Sequence, residues 1–332
     1  MMLSQAGSMK EINVGLVMMV SGEQCANIGS KLEMNKKTIL SSHFPDFIKK
    51  WNKFYSKFRQ VNSWYIVSDY CLDDKNKPND VMTFTIYPFT HPYLLRNGIK
   101  QYLSKDIKDF KNLSDKAVNY IKEAPYFFSL AFIIESKNNI FSLNGSKQVL
   151  DKTIEKMESW PRPKKEEFIH KIKKLRNYLN RKEIDLKTLS NISITTHIMS
   201  FIIEFLLIKA KAKHIIWISD RDKITDFQDG IVSELVRLGY TSLLNKRVSD
   251  NEVYGFWGGK EYNKEIFDEL VRIPDYISGA VASMDFEDVY KVSEKHYNLF
   301  DKSIVDNERI YIMHLKHNQY DDTLSNLTFT RT

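Results

Sequence analysis

The chain has 332 residues, 42% hydrophobic and 13% aromatic, with 49 Lys and Arg against 42 Asp and Glu. This excludes a disordered chain, and the scarcity of Gly (12) and Pro (8) argues for mixed helix and strand over a loop-rich all-β fold. The formal charge of +7 fits a polyanionic partner without requiring one, and two cysteines, Cys25 and Cys71, form neither a disulfide framework nor a usual zinc site, so a reducing, cytoplasmic setting is expected.

Met1–Ser8 reads as an expression-derived leader before a natural start at Met9. Glu11–Val20 is a candidate strand, too short and wrongly flanked for a signal peptide. Phe44-Pro-Asp46 marks a helix start, after which Phe47, Trp51, Phe54, Tyr55 and Phe58 fall on one helical stripe that suits a core. Trp64–Asp69 and the alternating Val81–Tyr87 flank the turn-rich Asp73–Asp80. They predict a hairpin with a loop of about ten residues. Leu94–Lys122 is helical in pattern, and the nearly all-apolar Tyr126–Glu135 predicts a central strand. Lys147–Asp185 is a basic helical region broken at Pro161-Arg-Pro163. Ser193–Lys211 is a helix whose apolar stretch Ile198–Ile208 is too short to span a bilayer, so no membrane partner is expected. His214–Ser219 is a fourth strand, and Phe227–Leu238 a helix stopped by Gly239. Glu252–Trp257 is a short strand, Glu261–Ser283 a helix interrupted by Pro274, Phe286–Leu299 a helix and Glu308–Leu315 a last strand.

Glu204 stands out inside its oily helix, because a carboxylate is costly to bury without a hydrogen bond, a cation or a metal. The strand that follows ends in Asp220 and Asp222, Asp69 ends the first strand of the hairpin, and Asp275 follows Pro274 in Ile273-Pro-Asp-Tyr-Ile-Ser-Gly-Ala-Val-Ala282. Each acid also has a structural reading. Asp69 can serve a turn, Glu204 a salt bridge, Asp220 a cap, and Asp275 a helix N-terminus. The histidines show no metal-ligand spacing, Gly255–Gly259 lacks the Gly-Lys-Ser/Thr ending of a P-loop, and no nucleophile motif is visible.

Strand, strand, strand, helix, strand, helix, strand, helix is an order that resembles the RNase H-like superfamily. The Ile273–Ala282 segment is similar to a late helix of bacterial RNase H-like families. The resemblance covers roughly residues 64–284. It implies an α/β fold: an RNase H-like mixed five-stranded sheet flanked by helices, with helical insertions. It further implies a single domain over residues 9–332, with an N-terminal extension (9–60) and a basic helical insertion (147–190). Asp69, Glu204, Asp220 and Asp275 would be catalytic acids binding Mg2+ or Mn2+, in a nuclease that hydrolyses phosphodiesters of RNA or DNA. Two such ions about 4 Å apart can activate water and stabilise the leaving oxygen. Lys164, Lys165, Lys171, Lys174 and Arg176 would contact the nucleic-acid backbone. The first strand departs from the Asp-Glu-Ser-Gly of many relatives, reading Ser68-Asp69-Tyr70-Cys71, and Glu23 is the alternative first acid. The alternative function is an inactive RNase H-like module that binds nucleic acid or a partner protein. A protein partner or homo-oligomer remains open.

Overall fold

The computed structural model describes residues 3–5, 12–14, 38, 40–41, 44–90, 92–136, 143–158, 165–220, 222–244, 254–258, 264–317, 322–327 and 329–331. The expected hairpin is the centre of the fold. β3 (Ser63–Cys71) pairs antiparallel with β4 (Asp80–Pro88), which pairs antiparallel with β5 (Phe128–Ser136). β6 (His214–Ser219) lies parallel to β3, and β7 (Tyr254–Trp257) parallel to β6. β8 (Ile310–His317) lies parallel to β5. Beyond β8 the sheet extends through β9 (Asp322–Leu327) to β2 (Ile12–Val14), giving the order β2-β9-β8-β5-β4-β3-β6-β7. The chain is thus α/β with a mixed sheet, but the sheet exceeds five strands. β9 reads Asp-Thr-Leu-Ser-Asn-Leu, whose polar residues hide the strand until β8 offers it an edge. β1 (Leu3–Gln5) pairs with β10 (Phe329–Arg331), so the segment expected to be a leader takes part in a two-stranded sheet.

Side chains alternate across a strand, so β3 feeds two cores. Trp64 and Ile66 enter the first, and Tyr65 and Val67 the second. The first core is covered by α1 (Pro45–Tyr55), whose Phe47, Trp51 and Phe54 repeat at helical spacing and pack against Phe128 and Phe205. The aromatic stripe is therefore core. α4 (Leu143–Glu158), α5 (Lys165–Tyr178), α6 (Leu186–Lys209) and α8 (Ile231–Leu244) complete this side. α6 begins at Asp185, whose side chain accepts from the Thr188 amide at 2.9 Å. It is apolar on all sides, as a helix enclosed by protein must be. Its 24 residues make it long and apolar enough to cross a membrane, although most of it is buried inside the protein.

The second core is covered by α2 (Pro92–Tyr102), α3 (Asp115–Glu123), α9 (Lys264–Ser283) and α10 (Glu294–Leu299). A short helix, α7 (Lys223–Asp226), follows β6. Two helix ends differ from expectation. Gly239 does not stop α8 but lies within it, where a Cβ would stand 3.0 Å from Ser200 Cβ, so this glycine lets α8 approach α6. Pro274 does not break α9. Proline leaves the carbonyl four residues earlier without its helical donor, and here the buried Tyr87 hydroxyl donates to that carbonyl, Leu270, at 3.0 Å.

Candidate active site

The parallel pair β3 and β6 ends at Cys71 and Ser219, and the chain leaves β3 for β4 on one side while β6 lies on the other. In open α/β sheets the crevice beyond the carboxyl ends of such strands is the usual ligand position. Asp69 lies at this end, on the face that carries α9. Asp220 follows Ser219 directly.

The segment Pro274–Gly279 is organised around Asp69. Ser278, one turn after Asp275, donates its hydroxyl to Asp69 Oδ2, and it also donates to the Asp275 carbonyl at 3.2 Å. Asp275 Oδ2 accepts from the Ile107 amide at 2.9 Å. The Tyr276 hydroxyl donates to the Lys105 carbonyl at 3.1 Å. A Cβ on Gly279 would stand 2.8 Å from Ile107 Cγ2, so the glycine lets the turn at Ile107–Asp109 press against α9. That turn in turn supplies the amide to Asp275. Asp275 is thus a mid-helix residue held by the Ile107 turn, not the N-terminal acid of a new helix.

Electrostatics tie the acids together. Burial pushes the Asp69 carboxyl up to about 8, with the Asp275 charge next in effect and Asp220 adding to it; the Ser278 hydrogen bond and the Lys77 ammonium oppose the rise. Burial also raises Asp275, against the Ile107 amide, Arg272, Lys108 and Lys77. Crowded, desolvated acids resist carrying all their charges at once. Asp222 caps α7, its side chain accepting from the Ile224 amide at 2.7 Å while Thr225 Oγ1 accepts from its own amide at 3.2 Å.

Glu204 does not join this group. It is buried, 5% exposed, on α6, which covers the opposite face of the sheet. Its height is also wrong. Thr195 Oγ1 of α6 meets Met82 Sδ at 3.6 Å, and Met82 is paired with Tyr70 near the Asp69 end. At 1.5 Å per residue Glu204 lies roughly 13 Å further down the helix. Its neighbour Phe205 packs on Phe47 and Trp51, beside Phe128 at the other end of the sheet. The four expected acids therefore reduce to Asp69, Asp275 and Asp220. Glu23, the alternative first acid, lies outside the described residues. Among the described residues, no three His, Cys, Asp or Glu side chains stand close enough as placed to hold a metal ion. Asp220 is exposed, off the buried pair.

The basic helix α5 is tied into the fold. Lys171 Nζ lies 3.1 Å from Glu234 of α8, Lys173 2.8 Å from Glu158, and Lys174 2.5 Å from Asp229. Arg176 holds Asp151 of α4 through two nitrogens at 2.8 and 2.9 Å. These pairs clamp α5 to its neighbours, so Lys171, Lys174 and Arg176 are not an unneutralised strip awaiting phosphate. Lys164 and the side chain of Lys165 lie outside the described residues. Ser278, which holds Asp69, carries no signal of its own in the sequence, because a serine within Ile273–Ala282 has no motif to mark it.

No family model, curated protein or solved structure matches the chain.

Proposed function

We propose that the chain is a divalent-metal-dependent nuclease of RNase H-like type, hydrolysing phosphodiester bonds in RNA or DNA with Asp69, Asp220 and Asp275. The observation that carries this reading is the buried acid pair of Asp69 on β3 and Asp275 on α9, at the end of the sheet where β6 runs out into Asp220. The topology supports it: three antiparallel strands (β3, β4, β5), then α6, then β6 and β7 parallel to β3 with α8 between them and α9 after.

The donor set suits a hard cation, since Mg2+ and Mn2+ take carboxylate oxygens. Asp69 and Asp275 are each anchored through Oδ2, which leaves Oδ1 of each for a ligand. Asp220, exposed at the strand end, would complete the set by turning towards them. Bound there, divalent ions would activate water and offset charge on the leaving oxygen. The protein's own part is to hold Asp69 through Ser278, to hold Asp275 through the Ile107 amide, and to keep both carboxylates in a place dry enough that they favour a cation over mutual repulsion.

The test is cleavage of labelled RNA, DNA and RNA–DNA hybrid with Mg2+ or Mn2+, comparing the wild type with Asp220→Asn. Metal-dependent cleavage that the substitution abolishes supports the reading. Equal cleavage by both proteins refutes it, and so does cleavage of no substrate. Salt-sensitive binding without cleavage would mark an inactive RNase H-like module instead.

A further inference from the structure

The excursion between β4 and β5 carries most of the exposed aromatic rings. Among the described residues the exposed large apolar side chains are Phe89, Tyr93, Tyr102, Tyr126 and Tyr290, and only Tyr290 lies outside this stretch. Single exposed aromatics are ordinary, but Tyr102 is not single. At the end of α2 its ring centre lies 4.9 Å from that of Tyr120 on α3, with the planes 19° apart. Tyr120 fits behind it because Gly98 has no side chain; a Cβ there would stand 3.1 Å from the Tyr120 hydroxyl. Tyr102 is thus backed on one face by a second ring and is still 36% exposed. It lines a cavity of about 350 Å3 together with Gln101, Ser114 and Lys116. The Ser114 hydroxyl accepts from the Ala117 amide at 3.2 Å, which leaves its proton to donate. Lys116 is exposed and has no ion-pair partner among the described residues.

The cavity opens at the base of the connection 103–113, which also serves the acid site. Ile107 gives its amide to Asp275, and Lys105 its carbonyl to Tyr276. Tyr102 and Ile107 are five residues apart, so at most about 18 Å separates them. Lys105 and Lys111 of this connection are exposed and likewise lack an ion-pair partner among the described residues. An aromatic face, an amide, a hydroxyl and an ammonium in one cavity match the parts of a nucleotide: base plane, base edge and phosphate. Bases in a duplex are stacked on each other, so only an unpaired base can use the ring.

We infer that this cavity is a nucleotide subsite for single-stranded nucleic acid, in which an unpaired base stacks on Tyr102, Gln101 and Ser114 meet its edge, and Lys116 meets a phosphate of the same strand. The inference rests on the reading of the chain as one that acts on nucleic acid, but it requires neither cleavage nor a bound metal.

The experiment measures fluorescence anisotropy of end-labelled single-stranded RNA and DNA, and of the matching duplexes, in EDTA over a range of salt. The proteins are the wild type, Tyr102→Leu, Tyr102→Phe, Lys116→Met and Lys122→Met, each confirmed as folded by its melting curve. Single strands should bind more tightly than duplexes. Tyr102→Leu should weaken binding about tenfold, and Tyr102→Phe, which keeps the ring, should stay near the wild type. Lys116→Met should lower the slope of log affinity against log salt by about 0.7. Lys122, exposed on the same helix away from the cavity lining, is the control of equal charge, and its replacement should leave the slope unchanged. Wild-type binding by Tyr102→Leu overturns the inference, as do equal weakening by Tyr102→Phe, an unchanged slope in Lys116→Met, an equal loss of slope in Lys122→Met, a preference for duplex, or no binding of any nucleic acid. Binding of single strands with no cleavage in Mg2+ sinks the nuclease reading alone, and cleavage with binding indifferent to Tyr102 sinks this one alone.

Discussion

Replacing Asp69 with asparagine should make the protein more stable at neutral pH. Asp69 keeps its proton in the folded state up to about pH 8, whereas its ordinary value is 3.8. Below the lower value both folded and unfolded chains are protonated and the residue has no effect. Between the two values the unfolded chain releases the proton and the folded chain retains it, so stability falls as pH rises. Above the upper value the loss is complete and constant. At about 1.4 kcal/mol per pH unit, the ceiling at pH 7 is about 4 kcal/mol. Partial solvent access at Asp69 and its coupling to Asp275 reduce this to about 2 kcal/mol, because effective dielectrics at such sites are well above those of dry protein. Asparagine keeps an oxygen to accept from Ser278 and loses the titration. Urea denaturation near pH 4, 7 and 9 is the assay. Wild type and Asp69→Asn should agree near pH 4, and the variant should be more stable by about 2 kcal/mol at pH 7, while cleavage and Mn2+ binding are lost. A variant equal to or less stable than the wild type at pH 7, or a difference that does not change with pH, would refute the electrostatic account of the site.

Glu204→Gln should leave Mn2+ binding and cleavage unchanged, because Glu204 is on the other face of the sheet; loss of either, with stability retained, would return it to the site. Gly239→Ala should destabilise by about 1–3 kcal/mol through overpacking against Ser200. Ser200→Ala in the same chain should restore part of this in a urea titration. Lys171→Met with Lys174→Met should leave the salt dependence of nucleic-acid binding unchanged, since both lysines are paired with Glu234 and Asp229. A phosphate-contacting pair would instead lower the slope by about 0.9 per lysine.

Local pattern carried much of the fold. The period-two alternation of Val81–Tyr87 and the apolar run from Phe127 marked strands, because a strand's two faces are written directly into alternate residues. The stripe from Phe47 to Phe58 marked a core helix for the same reason at helical period. β9 was hidden because its partner β8 decides its pairing, not its composition. Gly239 and Pro274 carry stop signals that hold only for an isolated helix. Ser200 gives the glycine a packing reason, and the Tyr87 hydroxyl supplies the donor that proline removes.

The acids divide in the same way. That Asp69 and Asp220 lie towards the carboxyl ends of strands and Asp275 directly follows a proline is a property of the sequence alone. Glu204 looked equivalent because burial of a charge can be read from its apolar neighbours, whereas the face and height of its helix cannot. Those are set by how α6 crosses the sheet, with Thr195 at Met82 and Phe205 against Phe47 and Trp51. Ser278 joins the site only through a contact separated widely in sequence, where α9 meets β3. Spacing along a chain determines what a residue can do within one element, but which charges share a crevice is decided when separate elements pack.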